Sequence, residues 1–290
     1  SPDAARPAAA IDGDARVGLA WFDREGRLWA ARSEDGGRRF GAALRLDSGP
    51  GRPEAAVVHA AFDPDGTLHV AWLDAREAPE GAAEPTHVFL AGLTEHGPLP
   101  ERNLTGEFFR TVSAGSRPYV HADRFGLEIV FRAVDDGHHD VHRLRRDARG
   151  DWHTPVRVGP PLWKTAEPPG SGPITDGRLV LWRDGSRARP RIVEGSGELE
   201  TVRNVIVVES ADHAVLSPRW VGGSSHELLL VPGRPRGWLL ERDGGAWTVR
   251  TDDVPAWCGD ALRLGDQVLL IGDDEGRLEL QGYPLDPRGE

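Results

Sequence analysis

A short apolar run that ends at a turn occurs six times along the chain, and few architectures accommodate it. The copies are Val17-Gly-Leu-Ala-Trp-Phe-Asp23, Leu68-His-Val-Ala-Trp-Leu-Asp74, Leu127-Glu-Ile-Val-Phe-Arg132, Arg178-Leu-Val-Leu-Trp-Arg-Asp184 and Gln267-Val-Leu-Leu-Ile-Gly-Asp273, with Glu227-Leu-Leu-Leu-Val-Pro232 as a variant lacking the Asp. Each is short, rich in β-branched or aromatic residues, and bounded by Gly, Asp or Pro. These are strand signals, and no segment shows the 3.6-residue period of an amphipathic helix.

Each run has strand-like neighbours. Ala55–Phe62 precedes the second copy across Asp63-Pro-Asp-Gly66, where Pro presets φ and Gly accepts a positive φ. Third strands are expected at 26–32, 86–92, 140–144 and 237–240, and fourth strands at 41–46, 154–158 and 247–250. Four short antiparallel strands over about 40–50 residues make the blade unit of a β-propeller. The expectation is therefore an all-β, six-bladed β-propeller in a single domain over 1–290, with blades starting near 8, 52, 115, 166, 215 and 256. The sixth blade reads as three strands. Either terminus could close the ring, and the Pro-rich stretch Pro160–Pro173 leaves the fourth blade irregular.

The turn between the third and fourth strands of the first blade reads Ser33-Glu-Asp35-Gly-Gly37-Arg-Arg-Phe40. Its frame recurs as Arg145-Arg-Asp147-Ala-Arg-Gly150-Asp-Trp152 and, shortened, as Glu241-Arg-Asp243-Gly-Gly-Ala-Trp247. Asp can accept N–H bonds within its own turn, Gly supplies the positive φ, and the aromatic is expected to pack back on the blade. This pattern resembles the Asp-box (BNR repeat) of sialidase-like β-propellers, as does the strand Leu68–Arg76. The resemblance implies that Ser33, Asp35, Gly37, Phe40, Asp147, Trp152, Asp243 and Trp247 are structural. It also implies that they lie opposite the functional face.

The functional face is then expected at the other ends of the strands. Asp23, Asp74, Asp184 and Asp273 end second strands there. Arg52, Arg117 and Arg219 stand just before first strands, and Tyr119 follows Arg117. Together they would form a polar pocket at the channel mouth, where Arg offers planar recognition of a carboxylate or sulfate. A uronic or sialic acid would suit it. The plainer alternative has each Asp cap its loop or pair with a neighbour such as Arg76. A second cluster, Asp135-Asp-Gly-His138-His139-Asp140-Val-His142, is dense enough in His and Asp to hold a transition metal, although it also suits a solvated loop. His138, His139 and Asp140 are the candidate ligands, a metal ion being possible and no other cofactor expected. His59 and His121 fall on first strands.

Fold does not supply chemistry. A classical sialidase needs an Arg triad and a Tyr nucleophile with a Glu partner, but the chain has only two tyrosines and lacks the N-terminal Arg-Ile-Pro motif. Tyr283 lies near the chain end, and no Glu accompanies Tyr119. The leading expectation is a non-catalytic propeller that recognises a glycan or another polar ligand, protein included. A glycoside hydrolase or polysaccharide lyase using the same Arg, Asp, His and Tyr residues is the alternative, and a metal-binding propeller the third. The net charge of −11 speaks against a nucleic-acid partner, and no apolar run reaches the length of a membrane-spanning helix. The lone Cys258 excludes an intramolecular disulfide framework and is expected to be a buried small apolar residue. The opening Ser-Pro-Asp-Ala, in a chain without Met, reads as the start of a processed protein, and together with the family resemblance this implies an extracytoplasmic (periplasmic or secreted) bacterial location.

Overall fold

The structure, a computed structural model, describes residues 7–49, 53–76, 86–109, 111–112, 117–135, 138–158, 172–177, 180–184, 191–195, 202–207, 214–215, 218–221, 228–234, 236–243, 246–256, 258–264, 266–274 and 277–285. Every regular element among them is a β-strand. Among the described residues no helix is long and apolar enough to cross a membrane. The chain forms two compact units, Ser1–Val180 with Gly195–Thr201, and Leu181–Glu194 with Val202–Glu290.

The first unit contains three four-stranded sheets, each ordered as its strands follow in sequence. The first sheet comprises β1 (Ala8–Ile11), β2 (Val17–Phe22), β3 (Leu28–Ser33) and β4 (Leu44–Arg45). The second comprises β5 (Pro53–Phe62), β6 (Leu68–Asp74), β7 (His87–Thr94) and β8 (Gly97–Asn103). The third comprises β9 (Tyr119–Asp123), β10 (Gly126–Asp135), β11 (His138–Asp147) and β12 (Val156–Arg157). All pairings are antiparallel, as short hairpin connections require.

Beyond these, Ile174–Thr175, Val180–Asp184, Arg191–Gly195 and Val202–Val207 form a fourth sheet. In the second unit, Arg219–Trp220, Leu228–Val231, Arg236–Asp243 and Ala246–Pro255 form another, and Ala214–Val215 pairs with Gly233–Arg234 in a two-stranded ladder. Cys258–Leu264, Gln267–Asp274 and Arg277–Pro284 make a three-stranded sheet. Ala8–Ile11 pairs with β2, so it is the first strand of its own sheet.

Burial follows the two-residue period of a strand. In β6 every residue is buried, and the strand serves two cores. Leu68, Val70 and Trp72 join one cluster with Phe62 and Phe89, whereas Ala71 and Leu73 join another with Ile129 and Phe131. A strand covered on both faces reads as a continuous apolar run, which is why the Leu68–Asp74 segment stands out in the sequence. The second unit packs Leu228, Leu230, Leu239, Val268 and Leu270 around the buried Cys258.

Two differences from the sequence reading matter for the site. The stretch expected in a loop is strand from His138 on: β10 ends at Asp135, β11 begins at His138, and these two residues are paired. The polar stretch is therefore strand, and its His142 is buried in the core, 4.6 Å from the Phe109 ring and 6.0 Å from Phe131 between ring centroids. The fourth strands also differ. Leu44–Arg45 and Val156–Arg157 keep only two residues each, and Gly97–Asn103 is a full strand despite two prolines, which an outer strand tolerates.

Candidate functional site

The turn aspartates come first because they settle which carboxylates are already engaged. Four turns share one geometry, in which the Asp N–H donates to the carbonyl four residues on, and the N–H of that same residue returns a bond to the Asp Oδ1. They begin at Asp12, Asp23, Asp63 and Asp147. The fourth residue of each has a positive φ: Ala15, Gly26, Gly66 and Gly150. In the Asp35 turn, Ser33 Oγ donates to Asp35 Oδ1 at 2.8 Å and accepts from the Gly37 N–H, while Asp35 accepts from the Arg39 N–H at 2.8 Å. These bonds hold the Asp35 carboxyl below its usual range, the Arg39 N–H contributing most. Asp147 is lowered likewise, chiefly by the Asp151 N–H.

The aromatics of these turns diverge. Trp152 packs against the core, with Arg146 5.9 Å from its ring centroid, and Trp247 stacks on Trp220 at 6.0 Å. Phe40 is instead 38% exposed, because the chain re-enters the sheet only at Leu44 and brings no strand back beside it. The Asp243 side chain lies outside the described residues.

Asp23 and Asp74 are committed locally. Asp23 accepts from the N–H groups of Glu25 and Arg27, from Arg27 Nε at 2.6 Å and from the Trp29 indole at 2.9 Å. Desolvation opposes ionisation there, but these bonds outweigh it and hold the carboxyl far below its usual range. Asp74 is fully buried and accepts from Arg76 Nη2 at 2.6 Å, and Arg76 continues to Glu101 at 2.8 Å. Of the other predicted residues, Arg52 lies outside the described residues, as do the side chains of Asp184, Asp273, His138 and His139. Asp140 is buried, with Arg157 Nη1 at 3.6 Å. Arg219 is half-buried in the second unit, opposite Leu230.

Arg117 and Tyr119 fall together at the start of β9. Gly172 packs so closely on Arg117 that a Cβ there would lie 2.3 Å from its carbonyl oxygen. The Tyr119 ring centroid is 3.9 Å from that of His59 on β5, and His59 Nδ1 accepts from the Val120 N–H at 3.2 Å.

The third sheet carries a constellation that sequence reasoning missed. Register aligns His121, Glu128 and Arg145 in one row across β9, β10 and β11. The next rows on that face are Tyr119, Val130 and Arg143 on one side, and Asp123, Gly126 and Asp147 on the other. The opposite face carries Val120, Ile129 and Leu144 into the core. His121, Glu128 and Arg145, with Arg143, Asp123, Gly126 and Asp147 from the flanking rows, line a pocket of about 660 Å³, with His153, Asp176 and Gly177 on its walls. At its floor the buried Glu128 accepts from Arg145 Nε at 2.6 Å and from the Thr175 hydroxyl, with Arg143 Nε at 3.3 Å. At its rim His121 lies 3.6 Å from Asp123, and His153 lies 3.8 Å from Asp147. Phe125, 69% exposed, stands at the same rim in the turn between β9 and β10. This pocket opens beside the turns that join β9 to β10 and β11 to β12, so it lies on the side of the Asp147 turn and not on the opposite side, where the functional face was expected. Glu128 inside an otherwise apolar strand was the available signal, and only strand pairing shows what it meets. Among the described residues no group of three or more His, Cys, Asp or Glu is placed to hold a metal ion.

The pocket and the succession of four-stranded meanders can be set beside known proteins. The sequence matches no protein-family model and no curated protein. Solved structures do match. A GH93 α-L-arabinofuranosidase of Fusarium graminearum, solved with arabinobiose, aligns at TM-score 0.56 and 10% identity, over 97% of this chain and 92% of that one. A puromycin-hydrolysing peptidase of Mycobacterium tuberculosis aligns at TM-score 0.56 and 16% identity, over 99% of this chain but 46% of that one. The fucose-recognising lectin of Aleuria aurantia, a six-bladed β-propeller, aligns at TM-score 0.53 and 10% identity, over 98% and 96%. The chain has the β-propeller fold. At these identities the likeness extends to the fold alone, and function is argued from the site.

Proposed function

We propose that this chain is a sialidase-like, Asp-box propeller that recognises a glycan without transforming it, acting outside the cytoplasm. The sheets described above would be six blades of one domain. The observation that carries the reading is Phe125: an exposed aromatic ring at the rim of a pocket that sets charged and polar side chains among apolar ones. A saccharide ring presents C–H groups on one face and hydroxyls around its edge. Phe125 offers an apolar surface to the first, and His121, Asp123, Asp147 and His153 offer donors and acceptors to the second. Both Glu128 oxygens are engaged by Arg145, Thr175 and Arg143, which suits a fixed wall better than a group that must gain and lose a proton. The glycan activities of the arabinofuranosidase and the lectin fit this reading.

The test is a glycan array followed by calorimetric titration of the hits. Phe125→Ala should weaken binding about tenfold, a loss typical of one aromatic contact, with no change in melting temperature. Glycan binding that ignores Phe125 would move the site elsewhere, and an array without hits would refute glycan recognition.

One observation favours a second reading, glycan cleavage at the inner strands. His59 and Tyr119 are in ring contact, with Arg117 two residues before the Tyr. Such a pair can exchange protons with a bound sugar acid. Release of reducing ends or unsaturated uronate from polysaccharides, lost in Tyr119→Phe, would establish it.

A further inference from the structure

We propose that Arg145 sets the specificity of the third-sheet pocket, selecting saccharides that carry one oxyanion substituent, carboxylate or sulfate, over neutral ones. This rests on the glycan reading and goes beyond it by naming the ligand's charge. The Arg145 side chain is 49% exposed, yet it is anchored twice. Nε donates to Glu128 at 2.6 Å, and Nη2 donates to the Gly177 carbonyl at 2.7 Å. Two anchors fix the plane of the guanidinium, so little rotamer freedom remains to be lost when a ligand arrives. Nη1 has no partner among the described residues. A planar group held at one edge and open at another is a preformed fork for an oxyanion.

The charges around it agree. Glu128 faces two guanidiniums, Arg143 and Arg145, with one carboxylate. Burial, the largest influence, presses the Arg143 pKa down; Glu128 and Asp176 oppose that, and Arg145 adds to it. Three more carboxylates line the pocket, Asp123, Asp147 and Asp176; Asp123 accepts from the Phe125 N–H at 2.7 Å and Asp147 from the Arg149 and Asp151 N–H groups. They can still accept from sugar hydroxyls, but they would repel a second anionic group. The matching ligand is a hydroxylated ring bearing a single negative substituent.

Three tetrasaccharides on one β-1,4-glucan backbone test this: cellotetraose, the same chain oxidised to a carboxylate at one C6, and the same chain sulfated at that position. Each is titrated into wild type, Arg145→Gln and Arg145→Lys. The expected result is at least about tenfold tighter binding of one acidic form than of cellotetraose. Arg145→Gln should erase that preference and Arg145→Lys should keep part of it; both should lower melting, since each takes a donor from the buried Glu128, and binding is compared at a temperature where all three proteins are folded. Which acidic form binds distinguishes carboxylate from sulfate. Equal binding of all three, unaffected by Arg145→Gln, overturns the inference and leaves glycan recognition standing. No binding by any of the three, by a protein that binds other glycans on the array, overturns the inference alone; no binding anywhere removes both.

Discussion

Among single residues, the turn aspartates do the most for the least surface. Each converts a four-residue reversal into a closed set of hydrogen bonds, and Gly fills the left-handed position in three of the four shared turns. The fourth has Ala15 at φ 61°. An L-residue there costs about 1–2 kcal/mol relative to Gly, partly offset by the extra freedom of Gly in the unfolded chain. Ala15→Gly should therefore stabilise the protein by up to about 1 kcal/mol, a rise of roughly 2 °C in melting temperature. A second expectation concerns pH. Asp23, Asp35, Asp63 and Asp147 are all held below their usual pKa. For Asp63, burial works the other way, but the His69 ring and the Thr67 N–H outweigh it. A carboxyl with a depressed folded pKa stabilises fully above its unfolded value of about 3.9, and that stability is lost as pH falls through the folded value. Melting temperature should accordingly hold from pH 7 to about 5 and fall steeply below about 4. Asp63→Asn should shrink the difference between pH 5 and pH 3; an unchanged difference would show that Asp63 is not among the titrating groups.

Hairpins are the element at which sequence and structure can be compared. The second strands were legible because an apolar run bounded by turn residues is local information, and the Asp63-Pro-Asp-Gly66 turn carries its own chemistry. The Asp12 turn was not, since Ala15 occupies the position where Gly would have marked it. Gly97–Asn103 was hidden by two prolines that an outer strand can carry, and the strand from His138 on was hidden by its polarity. The pocket was legible in no single segment. His121, Glu128 and Arg145 each look like the solvent-facing half of an alternating strand, and only register sets them in one row. Gly126 anchors that row's hairpin. Its φ is +131°, and a Cβ there would lie 2.1 Å from the Arg146 carbonyl oxygen. Gly126→Ala should cost about 3 kcal/mol by forcing the β9–β10 turn away from β11. Chemical denaturation would measure that loss, and a neutral substitution would mean the turn can shift freely.

For the whole molecule the question is how many cooperative bodies the chain contains. The contacts divide it into two compact units, whereas the proposal of one six-bladed domain requires the units to unfold together. Calorimetry should then show a single transition with matching calorimetric and van't Hoff enthalpies. Two resolved transitions would separate the units and set the third-sheet pocket, which belongs wholly to the first, apart from the second.

The double service of β6 bears on how such a chain can evolve. Its alternate residues feed different cores, so inserting or deleting one residue within Leu68–Asp74 would hand each cluster the side chains meant for the other. Substitutions face no such penalty if size and polarity are kept. Descendants of this sequence should therefore drift widely in composition while varying in length only at reversals, and the gaps in their alignment would trace the hairpins without any structure being needed.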